Sequence, residues 1–325
     1  LAIARIVTVM SGEVLLRDGV LSPTVRARLA AAFTVHDWPG DRAAQDEFMR
    51  RHGRSIAALI TTGHAGADAA VMNELPNLKL IACYGVGFDG IDVAAAGARG
   101  IVVSNTPAVL NDDVADLALA LMLAVVRRLP AAEVYVRSGC WPAQGDFGLT
   151  DRLTGKRLGM LGMGRIGAAI VKRAQGFDME VAYHATKRKA QSPHRWCDSA
   201  AALAEWADIL CVAMPATKRT VGMVDAKVLR ALGGDGYLVN IARGSLVDEA
   251  ALIAALQDGG IKGAALDVFA DEPRVPAELR ACDNVVLSPH QASATLHTRH
   301  RMAELVADNI EAVLRGRAPV TPVNP

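Results

Sequence analysis

The segment Leu161-Gly162-Met163-Gly164-Arg165-Ile166-Gly167 constrains this chain more than any other stretch. It sets G-x-G-x-x-G directly after an apolar run, Arg157 to Leu161, and directly before a helix-like run, Ala168 to Gln175. In that context the glycines permit a tight strand-to-helix turn. They also let backbone approach a pyrophosphate held at a helix N-terminus, where N–H groups lack intrahelical partners. A bare glycine pattern says little in a chain with 29 glycines. Between a strand and a helix it favours dinucleotide binding over a structural turn.

Which dinucleotide is read from the end of the next strand. An NAD site carries Asp or Glu about 20 residues on, for the ribose hydroxyls. Here Glu180-Val181-Ala182-Tyr183 runs into His184-Ala185-Thr186-Lys187-Arg188-Lys189. No carboxylate stands at the strand end, and three consecutive cations follow. A charge run is usually a solvated loop, but cations in place of the missing acid suit a 2′-phosphate and favour NADP(H).

At 325 residues, 51% of them hydrophobic, the chain is long enough for two domains with sizeable cores. A net charge of +1 gives no reason to expect nucleic acid or an anionic membrane as partner. The cysteines Cys83, Cys140, Cys197, Cys211 and Cys282 are odd in number and contain no C-x-x-C pair, the usage of a reducing cytosol without a disulfide framework or zinc site. Leu1 to Met10 reads as a first strand and lacks a signal-peptide layout. The apolar run Val114 to Val126 is too short to span a bilayer and contains Asp116, so it reads as a buried helix. The expectation is a cytoplasmic protein.

Strand-like and helix-like runs alternate almost throughout, which predicts α/β layers with parallel sheets. The first third offers strands at Ile6–Met10, Phe33–His36, Ala57–Ile60, Leu78–Ala82 and Ile101–Val103, with helices such as Thr24–Ala32 and Ala67–Leu75 between them. After the break Ser104-Asn105-Thr106-Pro107 comes a long helix from about Asp112 to Arg128, another helix, and an irregular arm from Ser138 to about Thr150. A second series offers six strands, Leu158–Leu161, Glu180–Tyr183, Ile209–Ala213, Tyr237–Ile241, Gly263–Val268 and Val285–Leu287, enough for a full dinucleotide-binding sheet. A last helix runs from about Thr295 to Leu314.

In open parallel sheets the chemistry gathers beyond the carboxyl ends of the strands. Three successive expected strands are followed there by Arg243, by Glu272 before Pro273, and by His290 after Pro289. Each alone has a bland reading as a surface cation, a helix-start acid or a satisfied loop histidine. Together they suit reduction of a 2-keto acid. A protonated histidine can supply the proton for the carbonyl oxygen. A neighbouring carboxylate favours imidazolium and fixes the ring. A guanidinium binds the substrate carboxylate and polarises the carbonyl, and the hydride comes from the cofactor.

With these pieces in place the chain resembles the D-2-hydroxyacid dehydrogenases nearly end to end. The resemblance rests on Tyr84-Gly85-Val86-Gly87-Phe88-Asp89-Gly90-Ile91-Asp92, the glycine loop at 162–167, Met214-Pro215-Ala216-Thr217, and Asn240-Ile241-Ala242-Arg243-Gly244 running into Val247-Asp248-Glu249. It continues with Leu266-Asp267-Val268-Phe269, Glu272-Pro273 and Ser288-Pro289-His290-Gln291-Ala292-Ser293. It implies two Rossmann-like domains: a doubly wound NADP-binding domain at 105–290, and a discontinuous, flavodoxin-like substrate domain at 1–104 plus 291–325. It implies Arg243, Glu272 and His290 as catalytic trio, with Val86, Gly87, Arg243 and Ser293 on the substrate. Gly162, Met163, Gly164, Arg165, Ile166, Gly167, Lys187, Arg188, Pro215 and Asp267 would face the cofactor, Asp267 near the nicotinamide amide. No metal is implied. Members are typically homodimers, with the arm around Trp141 reaching the partner.

Within the family, Ser293-Ala294-Thr295 with Thr298, Arg299 and Met302 is similar to glyoxylate/hydroxypyruvate reductases. A 2-ketogluconate or broad-range 2-keto-acid reductase is the runner-up, phosphoglycerate dehydrogenase is disfavoured, and an NAD(H)-sensing corepressor would be expected to keep an acid at the ribose. Two departures matter. The segment 184–186 lacks the arginine often found there, leaving its work to Lys187 and Arg188, and Ala292 replaces a common glycine, a change expected to be tolerated.

Overall fold

Ile56–Thr61 is apolar in all but its last residue, and such runs suit strands covered on both faces. The structure, a computed structural model, describes residues 12–324 and shows every residue of this run buried. The chain divides into two compact units, one built from residues up to Leu110 and from Ala294 on, the other from Asn111–Ser293.

Among the described residues the first unit holds five strands: β1 (Glu13–Leu16), β2 (Thr34–Asp37), β3 (Ile56–Thr61), β4 (Leu80–Cys83) and β5 (Val102–Ser104). All pair in parallel, in the order β2-β1-β3-β4-β5, which is flavodoxin-like. Intervening helices open on Ser22, Asp41, Asp68 and Asp92, whose side chains accept from backbone N–H groups of the first turn. The last helix, Leu296–Leu314, opens in the same way on Thr295. The expected strand at Ile6–Met10 lies outside the described residues. The first described strand is Glu13–Leu16, which was not among the expected strands.

The second unit holds β6 (Arg157–Leu161), β7 (Glu180–His184), β8 (Arg195–Trp196), β9 (Ile209–Val212), β10 (Tyr237–Asn240), β11 (Gly263–Leu266) and β12 (Val285–Leu287). Their order, β12-β11-β10-β9-β6-β7-β8, is that of a doubly wound dinucleotide-binding sheet with one strand added at the edge. The sheet has seven strands rather than the six expected. The extra one, β8, is two residues that pair with Ala182 and Tyr183, below the length at which a pattern registers. The strand order reverses between β6 and β9, so the switch point falls at the glycine loop that follows β6. The helix Asn111–Val126 is buried along one side, as its apolar run requires. The segment 138–150 is not wholly irregular: it contains a short helix, Cys140–Gln144.

Candidate active site

The three glycines of the loop meet three different surroundings. Gly162 has φ of +103°, and a Cβ there would lie 2.5 Å from the Ala213 carbonyl oxygen. At Gly167 a Cβ would lie 2.4 Å from the Gly162 carbonyl oxygen, so this position exists for close helix-to-strand packing. At Gly164 nothing lies within 4 Å, and Gly164 and Arg165 are exposed while Gly162, Met163 and Gly167 are buried. Gly164 is also the N-cap of the helix Arg165–Ala174, and no side chain caps that end. The helix therefore presents its first N–H groups beside an open backbone face. This arrangement fits a pyrophosphate.

At the end of β7, His184 lies 3.0 Å through Nδ1 from the Cys197 carbonyl oxygen, an acceptor, which assigns the ring proton to Nδ1. Lys187, Arg188 and Lys189 are exposed, and none forms an ion pair among the described residues. A cavity of about 630 Å³ opens between the helix and the following segment, lined by Met163, Lys172, Lys189, Ser192 and His194 among others. Pro215 is exposed after β9, its carbonyl accepting from Thr220 Oγ1 at 2.8 Å.

The three strand-end residues stand on one sheet. Arg243 follows β10 and is half-buried, with Nη1 donating to the Ala242 carbonyl at 2.7 Å. Its turn is tied by Asn240, 1% exposed, which donates through Nδ2 to the Arg243 carbonyl at 2.9 Å and accepts from the Ala242 N–H at 3.1 Å. His290 Nδ1 meets Glu272 Oε2 at 2.6 Å. Glu272 Oε1 accepts from the Phe269 N–H at 3.0 Å, so the carboxylate is held while it holds the ring. A carboxylate cannot donate, so the proton sits on Nδ1 and Nε2 is left for other partners.

His290 is one of few non-glycine residues in the left-handed region, with φ of 49°. Such a backbone costs on the order of 1 kcal/mol and persists where its surroundings fix it. Asp267 does this. Its carbonyl accepts from the His290 N–H at 2.8 Å. Its fully buried carboxylate accepts from Ser288 Oγ at 2.6 Å and from the N–H groups of Gln291 and Ala292 at 2.9 and 3.0 Å. Asp267 is among the residues the sequence points to, whereas Asn240 and Ser288 are not. A polar residue closing an apolar strand was the signal available for Asn240. Ser293 is half-buried three residues past His290.

In the first unit, the loop after β4 is held by its carbonyls. Gly85 accepts from the Thr106 N–H at 2.9 Å, Val86 from Asn105 Nδ2 at 2.9 Å, and Gly87 from Cys83 Sγ at 3.3 Å. The N–H groups of Val86 and Gly87 have no protein acceptor among the described residues. Two half-buried donors without acceptors can serve a carboxylate. Burial pushes the Cys211 thiol up to about 12, so it offers no nucleophile. No helix among the described residues is long and apolar enough to cross a membrane.

Two βα-built sheets, a glycine turn at the switch point and a histidine–carboxylate pair at strand ends define an α/β dehydrogenase. The chain belongs to the D-isomer specific 2-hydroxyacid dehydrogenase family, whose NAD-binding domain model matches residues 119–292. A glyoxylate/hydroxypyruvate reductase A from Arabidopsis thaliana is 47% identical over 85% of this chain and 88% of its own length. A 2-ketogluconate reductase from Gluconobacter oxydans is 42% identical over 93% and 96%. Among solved structures, an NADPH-dependent glyoxylate/hydroxypyruvate reductase from Sinorhizobium meliloti, in complex with NADP and malonate, superposes with a TM-score of 0.89 at 40% identity, covering 96% of this chain and 97% of that one.

Proposed function

We propose that this protein reduces small 2-keto acids, glyoxylate and hydroxypyruvate first among them, to D-2-hydroxy acids with NADPH. The observation that carries the reading is the His290–Glu272 pair, oriented so that Nε2 is free, on the sheet that bears the glycine turn. NADPH supplies the hydride when bound. In its imidazolium form His290 gives the Nε2 proton to the carbonyl oxygen and keeps the Nδ1 proton on Glu272, so that keto acid, NADPH and one proton become hydroxy acid and NADP⁺. Glu272 keeps the ring in the tautomer and orientation this requires. Arg243 takes the substrate carboxylate and polarises the carbonyl, and the Val86 and Gly87 N–H groups, with Ser293, complete the substrate contacts. Asn111–Ser293 is the cofactor-binding unit in this reading, and the other unit binds the substrate. The glycine turn with Met163, Arg165 and Ile166 holds the pyrophosphate, Pro215 and Asp267 lie toward the rest of the cofactor, and Lys187 and Arg188 hold the 2′-phosphate.

The second reading, a 2-ketogluconate reductase, is supported by the Gluconobacter relative that covers more of the chain at lower identity. Steady-state oxidation of NADPH and NADH with glyoxylate, hydroxypyruvate and 2-ketogluconate separates the two. The proposal expects the highest kcat/KM with NADPH and one of the two smaller acids. A highest value with 2-ketogluconate transfers the assignment to the second reading, and no turnover with any of them removes both.

A further inference from the structure

The first unit gathers a second set of chemistry-bearing side chains that the dehydrogenase reading leaves unused. Glu13 opens β1, His36 is the third residue of β2, and His52 ends the helix Arg42–His52. Parallel pairing sets Leu15 opposite His36, so Glu13 stands diagonally across from His36 on the same face. Phe48 and His52 are four residues apart and share one side of the helix. The rings fix one another: His36 and His52 have centroids 4.5 Å apart, and Phe48 stacks on His52 at 4.9 Å and meets His36 edge-on at 5.3 Å.

That packing brings His36 Nε2 to 2.7 Å and His52 Nδ1 to 3.2 Å from a single oxygen, Oε2 of Glu13. The three atoms all lie within 4.8 Å of one another, and all three residues are half-buried. Nearby guanidinium groups are engaged elsewhere, Arg50 and Arg51 by Glu47 and Arg26 by Asp37. Among the described residues no lysine or arginine pairs with Glu13.

We propose that Glu13, His36 and His52 form a binding site for a divalent transition cation of the zinc type. One carboxylate oxygen and two imidazole nitrogens are a donor set zinc accepts, leaving a fourth tetrahedral position for water. Metal–ligand bonds of 2.0–2.2 Å put neighbouring donors about 3.3 Å apart, so the Glu13–His36 contact opens by a few tenths of an ångström. Each neutral ring moves its proton to its other nitrogen and turns a lone pair to the metal, while the carboxylate remains charged. The bound ion ties the edge strand β2, its neighbour β1 and the covering helix together.

The full chain is titrated with Zn²⁺ against a chromophoric chelator, and its melting temperature is recorded with and without the ion. The parent should bind one equivalent that His36→Ala loses or holds at least about tenfold more weakly. Zinc should raise the parent's Tm by about 2 °C or more, because it binds the folded state, and should leave the variant's unmoved. His52→Gln, at the more exposed ring, gives the same comparison should His36→Ala fail to fold. Parent and variant should reduce keto acids equally in metal-free buffer, which separates this site from the dehydrogenase site and from zinc bound at His290 or the cysteines. If the parent takes up no equivalent beyond that of the variants, the cluster is a hydrogen-bonded staple only and the proposal fails.

Discussion

His290 is held twice over in its left-handed backbone conformation, by Asp267 at its backbone and by Glu272 at Nδ1. A glutamine at this position keeps a polar side chain but has no titratable donor. His290→Gln is therefore expected to lower turnover by at least about 100-fold, roughly 2.7 kcal/mol of barrier, while NADPH binding measured by fluorescence stays close to the parent's. Retention of most turnover with an unchanged pH profile would remove His290 from the chemistry. The glycine turn offers a second comparison between single residues. Gly164→Ala meets no atom of the protein, whereas Gly167→Ala drives a Cβ to 2.4 Å from the Gly162 carbonyl oxygen. Gly164→Ala should leave Tm near the parent's and weaken NADPH binding. Gly167→Ala should lower Tm itself, by clash rather than by lost ligand contact. A Gly164→Ala variant with unaltered affinity for NADPH would mean that backbone does not approach the pyrophosphate there.

At the scale of elements, the proposed preference for NADPH rests on the end of β7. Strand β7 pairs with β6 along its whole length, Leu161 opposite His184, so the loop at 185–189 starts level with the glycine turn. No acid stands there, and Lys187 and Arg188 are exposed without ion-pair partners among the described residues. Lys187→Ala combined with Arg188→Ala is expected to remove most of a preference for NADPH over NADH. Each charge-assisted contact to a phosphate is worth about 1.5–3 kcal/mol, so even one corresponds to more than about tenfold in affinity. The loss should fall on KM for NADPH, since the 2′-phosphate is remote from the hydride and is held alike in ground and transition states. NADH kinetics should barely change. A double variant that keeps its preference would reduce the basic run to a solvated loop.

At the scale of the molecule, residues 129–149 leave several large apolar side chains in solvent. Val134 is 61% exposed, Trp141 54% and Leu149 fully, with Leu129 and Val136 beside them in sequence. The segment is nevertheless ordered within itself. Tyr135 donates to the Gly145 carbonyl and packs edge-on against Phe147, Arg128 lies over the Phe147 ring, and Trp141 Nε1 reaches Asp146 at 3.3 Å. Exposed apolar side chains on a structured arm suit burial against a second copy of the chain, and a two-fold interface would use the same patch twice. Sedimentation should show a dimer, and Trp141→Glu should shift it toward monomer. A parent that is monomeric at working concentration, with full activity, would rule this out.

The sequence by itself settled what depends on neighbours along the chain. Apolar runs marked ten of the twelve strands among the described residues, and the glycine spacing marked the strand-to-helix turn, because each signal is complete within about a dozen residues. It also placed Arg243, Glu272 and His290 at strand ends, since the end of a run is a local property. It did not show β1, which pairs with β2 and β3, or the two residues of β8, which are too short to carry a period and form a strand only because β7 pairs with them. The pairing of Glu272 with His290 was expected from the chemistry and the resemblance, and the structure gives it a distance across 18 residues. That Asp267 carries the turn at 288–292, and that Asn105 and Thr106 hold the carbonyls of the 85–86 loop, was not visible in the sequence. The convergence of Glu13, His36 and His52 was equally out of reach. Those distances are set by strand order and register, which hydrophobic pattern leaves open and which packing of the two sheets' helices and strands decides.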